Sequence, residues 1–345
     1  METPENRGYD LVQALARQAL RQMPPVGGFV PPERFLVNIT ADEFMSGFNT
    51  LRNVLRGIYE RIEAEPGVLG PVTFGGDTAE EAKKAETKAL NIFRSVFIIL
   101  AAAAEGAPDG EWVLAACGKK PFNEKAVCLL KASGFAMSGG KNDLIARVGF
   151  PSCPAVITAL RSFAGALTDH LILCDWRALL YERGSVPYGY EDAERAIVNE
   201  GERIIYKAAD EKLTGIGFTR AVHNSGLFSW AVKYFYEKER KETAVFHMER
   251  DGSFILNVRP LNVASYSRRF GELNERVRRL CLDGADCRFC GYCKTPHRFE
   301  YEGVKYVKCQ IICCNFHFYG VSEEDAPSVL AVLDWEARVK TGLSQ

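Results

Sequence analysis

Along the first hundred residues the apolar positions recur every three or four places, the spacing of one buried helical face. Residues 10–23 show it first and stop at Pro24-Pro25 and a Gly-Gly pair. Thr40-Ala-Asp-Glu43 has the form in which a threonine oxygen and a glutamate carboxylate satisfy each other's free helix-start amides. The helix it opens runs to about residue 65, with Phe44, Phe48, Leu51, Leu55, Ile58 and Ile62 inward. Thr78-Ala-Glu-Glu81 repeats the device for a third helix, whose inner stripe is Ala82, Ala85, Ala89, Phe93, Val96 and Leu100.

Beyond residue 110 the pattern shortens. A strand is predicted over 111–117, a helix capped by Asn123 over 124–133, and a hairpin pairing 135–138 with 143–148. A helix over 154–167 and a strand over 171–174 follow. The Gly/Pro/Tyr loop at 184–190 is the best internal boundary. Next come a helix over 191–212, a strand over 216–222 and a helix over 227–240 carrying Phe228, Trp230, Tyr234, Phe235 and Tyr236 as a core stripe. Asp251-Gly252 turns a hairpin over 244–258 whose two faces are both apolar, which places it mid-sheet. Residues 268–281 form an amphipathic helix, Phe316 and Phe318 alternate in a strand, and Ser322-Glu-Glu-Asp325 opens the last helix. The fold class is α+β: helix-rich, with a mixed or antiparallel central sheet that includes both hairpins. A body of residues 1–262 carries a Cys-rich part, 263–345, packed on it rather than tethered.

Composition narrows the function classes. The chain has 345 residues, 47% hydrophobic and 25% charged, with a formal net charge of −1, so no global attraction to nucleic acid or an anionic membrane exists. The N-terminus has no secretory pattern, and the longest apolar run, 96–104, is nine residues, against about twenty needed to span a bilayer. The expected setting is cytoplasmic, where eleven cysteines are kept reduced. Cys117, Cys128, Cys153 and Cys174, in apolar contexts, read as core fillers. A local surplus does exist: residues 268–308 hold ten Lys/Arg against six Asp/Glu. It suggests an anionic partner, nucleic acid or a phosphorylated ligand, at that surface.

Six of the eleven cysteines fall within 287–314. Cys287-Arg-Phe-Cys290-Gly-Tyr-Cys293 contains two overlapping C-x-x-C pairs, and the glycine after Cys290 lets backbone amides turn toward thiolate sulfur. A Glu302-Gly303 turn then pairs Tyr301 with Val304, Glu300 with Lys305 and Phe299 with Tyr306, and returns the chain to Cys309, Cys313 and Cys314. Knuckle, hairpin and second cysteine group resemble a zinc ribbon over about residues 287–314. The resemblance implies one structural zinc held by Cys287, Cys290 and Cys293 or a subset, completed by Cys309, with Cys313 in reserve. Three cysteines on each side depart from the two clean pairs of a plain ribbon. C-x2-C-x2-C is also the triplet of ferredoxin-type iron–sulfur proteins, although position 297 is His where that pattern has its fourth Cys. Buried free thiols are the bland alternative. His297 and His317 can serve as ligands, but each reads as an ordinary strand or turn histidine.

Other motifs are weaker. Ala136-Met-Ser138-Gly-Gly140 lacks the strand–turn–helix setting of a nucleophile elbow, and Gly215-Ile-Gly217 lacks the third glycine of a dinucleotide loop. Asp175-Trp-Arg177 and His223-Asn-Ser-Gly226 sit near predicted strand ends, where an enzyme site can form, though a capping aspartate and a turn explain them as well. The expectation is therefore a zinc-binding protein with a binding or regulatory role. The alternatives are an enzyme with a structural zinc and chemistry near Asp175 or His223, and iron–sulfur electron transfer.

Overall fold

The computed structural model describes residues 4–70, 78–105, 112–113, 123–138, 145–164, 166, 168–180, 186–237, 242–283, 296–308 and 316–342. The chain divides into two compact units at Pro187/Tyr188, inside the 184–190 loop. The boundary expected at 262/263 falls within the second unit.

The first unit is mostly helical. Helices α2 (Ala41–Ala64) and α3 (Ala79–Glu105) begin and end close to where the periodicity places them, whereas α1 (Pro4–Gln22) begins six residues before the expected start at residue 10. Thr40 caps α2 in a full capping box with Glu43, and Thr78 and Glu81 exchange the same bonds at α3. All six predicted inward residues of α2 are buried. Tyr59 of α2 stacks on Phe93 and Phe97 of α3 at 6.0 and 5.8 Å, and its hydroxyl donates to the Ile172 carbonyl. Lys83–Glu105 is, by length and composition alone, apolar enough to cross a membrane, but half of that window is buried inside the protein. A small antiparallel sheet in the order β1-β3-β2 joins β1 (Trp112–Val113), β2 (Ala136–Ser138) and β3 (Ile145–Gly149), with α4 (Glu124–Ala132) capped by Asn123. Helix α5 (Ala155–Arg161) is shorter than predicted. The strand expected over 171–174 is instead the end of α6 (Thr168–Ile172) and a turn in which Cys174 takes φ 46°. Leu171, Ile172, Leu173 and Cys174 are all buried, and a run buried on every side carries no period to separate strand from helix. Cys174 and Cys153 lie in the interior or half inside, whereas Cys128 is exposed rather than a core filler; Cys117 lies outside the described residues.

The second unit is an antiparallel five-stranded sheet in the order β10-β7-β6-β5-β4, formed by β4 (Phe218–Gly226), β5 (Ser229–Tyr236), β6 (Ala244–Met248), β7 (Phe254–Val258) and β10 (Phe316–Tyr319). The 244–258 hairpin is central, as its two apolar faces require. It shares no sheet with the 136–149 hairpin, so the single central sheet expected from sequence is two sheets, one in each unit. The helix expected over 227–240 is strand β5. Trp230, Val232 and Tyr234 face the core at period two, while positions 230 and 234 also satisfy helical spacing; aromatic and β-branched residues packing across a pleated sheet decided it. Helices α7 (Tyr190–Glu194) and α8 (Glu200–Ile216) replace one longer helix, and Asn199 caps the second.

The 268–281 helix is also divided, into a 3-10 segment, Ser267–Glu272, and α9 (Glu275–Leu282). Asn274 makes the break. Its side-chain oxygen accepts from the Val277 amide at 2.8 Å, its amide group donates to Asp325 at 2.9 Å, and its backbone N–H donates to Ser328 at 2.9 Å. Asp325 completes a capping box with Ser322 ahead of α10 (Ala326–Thr341), so Asn274 ties two helix starts together. Asn274→Ala is expected to lower stability by about 2 kcal/mol, one cap plus one bond to a carboxylate. Urea unfolding checks it, and a loss below about 0.5 kcal/mol would show the tie to be idle.

Candidate functional site

The zinc-ribbon resemblance turns on one hairpin, β8 (His297–Tyr301) and β9 (Val304–Lys308). Glu302 and Gly303 have φ 49° and 77°, the two positive values of the tight turn whose twist suits a hairpin. The register is the one read from sequence: Tyr301 faces Val304, Glu300 faces Lys305, Phe299 faces Tyr306, and His297 faces Lys308. Phe299 stacks on Tyr306 at 5.0 Å, and Phe299 and Tyr301 both pack on Phe270. Val304, the cross-strand partner of Tyr301 beside the turn, is 53% exposed. Ser267 adds a hydrogen bond to the Glu300 carbonyl, so the hairpin is held against the Ser267–Glu272 segment of its own unit.

The expected ligands Cys287, Cys290, Cys293, Cys309 and Cys313, with Cys314, lie outside the described residues. Among the described residues no group of three or more His, Cys, Asp or Glu side chains is arranged to hold a metal. The two histidines of this region differ sharply. His297 is 8% exposed; one ring nitrogen donates to the Pro260 carbonyl and Nε2 is buried with no hydrogen-bond partner among the described residues. Burial holds its pKa below the usual imidazole value, against the opposing pull of that carbonyl. His317 is exposed, and its Nδ1 lies 2.5 Å from the Asn257 side-chain oxygen on the neighbouring strand.

The basic surface is partly spent on structure. Arg269 forms a two-bond pair with Glu272 at 2.9 Å and lies over the Trp335 ring. Arg279 pairs with Glu275, and Arg276 reaches Asp325 and the Gly320 carbonyl. Arg268, Arg298 and Lys305 remain exposed. A groove of about 430 Å³ beside them is lined by Arg268, Gly271, Glu300, Tyr301 and Glu302, so its own walls carry more negative than positive side chains.

Asp175 is fully buried, caps the Trp176–Leu179 turn and binds the Arg177 guanidinium through both oxygens. His223 is an exposed residue within β4 rather than in a loop. Ser138 ends β2 opposite Arg147, and Gly217, with φ 105°, terminates α8 in the left-handed conformation. Among the buried acids that sequence reasoning missed are Asp210 and Glu336. Asp210 of α8 accepts from Tyr234 at 2.7 Å and from Arg220, whose guanidinium covers the Tyr190 ring at 4.4 Å. Glu336, fully buried in α10, accepts from the Tyr266 hydroxyl and from the Leu261 amide. An acid within the apolar run of residues 326–337 was the signal available for the second.

Compared with known proteins, the chain matches no family model, no curated protein and no solved structure.

Proposed function

We propose that this chain is a zinc-binding protein with a structural metal drawn from Cys287, Cys290, Cys293, Cys309 and Cys313, and that its role is binding or regulation rather than catalysis. The observation that carries the reading is the β8–β9 register. With His297 opposite Lys308, the segments bearing the two cysteine groups leave the hairpin at one end, as a ribbon requires. An iron–sulfur cluster is the alternative for the same residues. Exposed Arg268, Arg298 and Lys305 support an anionic partner, nucleic acid or a phosphorylated ligand, whereas the carboxylates of the adjacent groove oppose one there. A cytoplasmic setting suits reduced thiolate ligands.

Elemental analysis of protein purified without added metal is expected to find one equivalent of zinc. Cys290→Ser or chelation should lower the melting temperature by several degrees, while Cys314→Ser has little effect. Iron with visible absorbance would replace zinc by a cluster. Neither metal in a fully folded chain would end the reading. If the partner is nucleic acid, its affinity falls steeply with salt.

A further inference from the structure

The groove beside the Glu302-Gly303 turn holds charges of both signs that do not meet. Arg268, Glu300 and Glu302 line it with Gly271 and Tyr301, yet none of the three forms an ion pair among the described residues. Their neighbours Arg269, Arg276 and Arg279 are each matched to a carboxylate. Opposite charges that share a groove of about 430 Å³ without pairing leave a gap between them, and that volume is within the range of small-molecule sites. A second observation marks the groove's floor. Tyr301 is 8% exposed and its ring packs on Phe270 at 5.9 Å, but its hydroxyl is shielded from solvent with no hydrogen-bond partner among the described residues. The Glu302 carboxylate stands near enough to hold the phenol above its ordinary pKa without completing that bond. Buried hydroxyls left unpaired are costly and rare, so each calls for a use. This one is aimed at an open wall. A Cβ added to Gly271 would meet the Tyr301 hydroxyl at 3.9 Å and nothing else within 4 Å, so the glycine keeps clear the space that the hydroxyl faces.

We infer that this groove binds a small zwitterion with a basic side chain, its carboxylate on Arg268 and the Tyr301 hydroxyl and its cationic groups on Glu300 and Glu302. Charge selects the class. One arginine against two glutamates leaves the walls one unit negative, and a basic amino acid, with two cations and one carboxylate, is one unit positive. The same carboxylate and basic side chain occur at the C-terminal residue of a peptide, which lacks the free α-ammonium. The inference goes beyond the metal and the anionic partner proposed above and depends on neither.

Calorimetric titration of the full chain with L-arginine tests it. Binding is expected, and it should weaken at least about tenfold for arginine amide, which lacks the carboxylate, and for L-citrulline, which lacks the side-chain charge. N-acetyl-arginine separates the two sources: affinity equal to that of L-arginine assigns the groove to a peptide C-terminus, and a loss of about tenfold or more assigns it to the free amino acid. Arg268→Gln and Glu302→Gln should each weaken L-arginine binding about tenfold, and Gly271→Leu, which fills open space, should abolish it with the melting temperature unchanged. Arg279→Gln, outside the groove, should leave it as it is. A folded chain that binds neither L-arginine nor N-acetyl-arginine at millimolar concentration overturns the inference, as does binding that survives both Arg268→Gln and Gly271→Leu.

Discussion

Gly47→Ala is expected to destabilise the first unit by about 2 kcal/mol, although alanine is the better helix former by about 1 kcal/mol. The cause is a close approach of two helices. A Cβ at Gly47 would lie 2.7 Å from the Ala155 Cβ and closer still to the Ala155 carbonyl, so α2 and α5 must move apart to admit one methyl group. Backbone cannot yield as a flexible side chain does, and the packing that Phe44, Phe48 and Leu51 bring to the same stretch is disturbed with it. Gly57, ten residues later on the same helix, is the control. It is exposed, a Cβ there meets nothing within 4 Å, and Gly57→Ala should stabilise by up to about 1 kcal/mol. Amide hydrogen exchange in α2 and α5 reads both effects locally. Equal changes of the same sign at the two positions would show that the interhelical approach does not limit the fold.

The second large effect concerns pH. Burial pushes the Glu336 carboxyl up to about 7 from an ordinary 4.5, against the opposing influence of the Tyr266 hydroxyl, the Leu261 amide and the Lys340 charge. Because the folded value is above the unfolded one, the folded state binds the extra proton. Glu336 therefore contributes most below pH 4.5, and that contribution is lost as pH rises from 4.5 through about 7. The shift corresponds to about 3 kcal/mol. Glu336→Gln keeps a neutral group of the same shape at every pH. Relative to the native chain it is expected to gain about 3 kcal/mol between pH 4.5 and pH 8, measured as the difference between urea unfolding energies at the two values. His247, His297 and His317 act in the opposite direction. Burial lowers all three, so their contributions are present above pH 6.5 and fall away below it. Taking the difference between the two proteins at each pH cancels the histidines. A pH-independent difference would show that Glu336 is ionised in the folded protein.

Sequence and structure contribute differently to the proposed metal hairpin. C-x-x-C spacing and the Glu302-Gly303 turn were enough to propose a metal hairpin and to predict its pairings, because a two-residue turn and strict alternation leave one workable register. Spacing alone could not separate His297 from His317. Their difference comes from the Pro260 carbonyl, 37 residues before one, and the Asn257 amide, 60 residues before the other.

The same division runs through the fold. The sequence by itself determined the helix starts at Thr40, Thr78, Asn123 and Ser322, the turn at Asp251-Gly252 and the inward face of α2, since each depends on residues a few positions apart binding one another or sharing one stripe. Only tertiary structure decided that residues 229–236 are a strand, that Asn274 divides a helix, and that the two hairpins belong to different sheets. Trp230 and Tyr234 fit either period until β4 and β6 lie alongside to take up their backbone bonds, and Asn274 ends a helix only where Asp325 and Ser328 are present to receive it. Short-range hydrogen bonds are written into neighbouring residues; which distant segments compete for a backbone or a buried face is settled only when the chain packs.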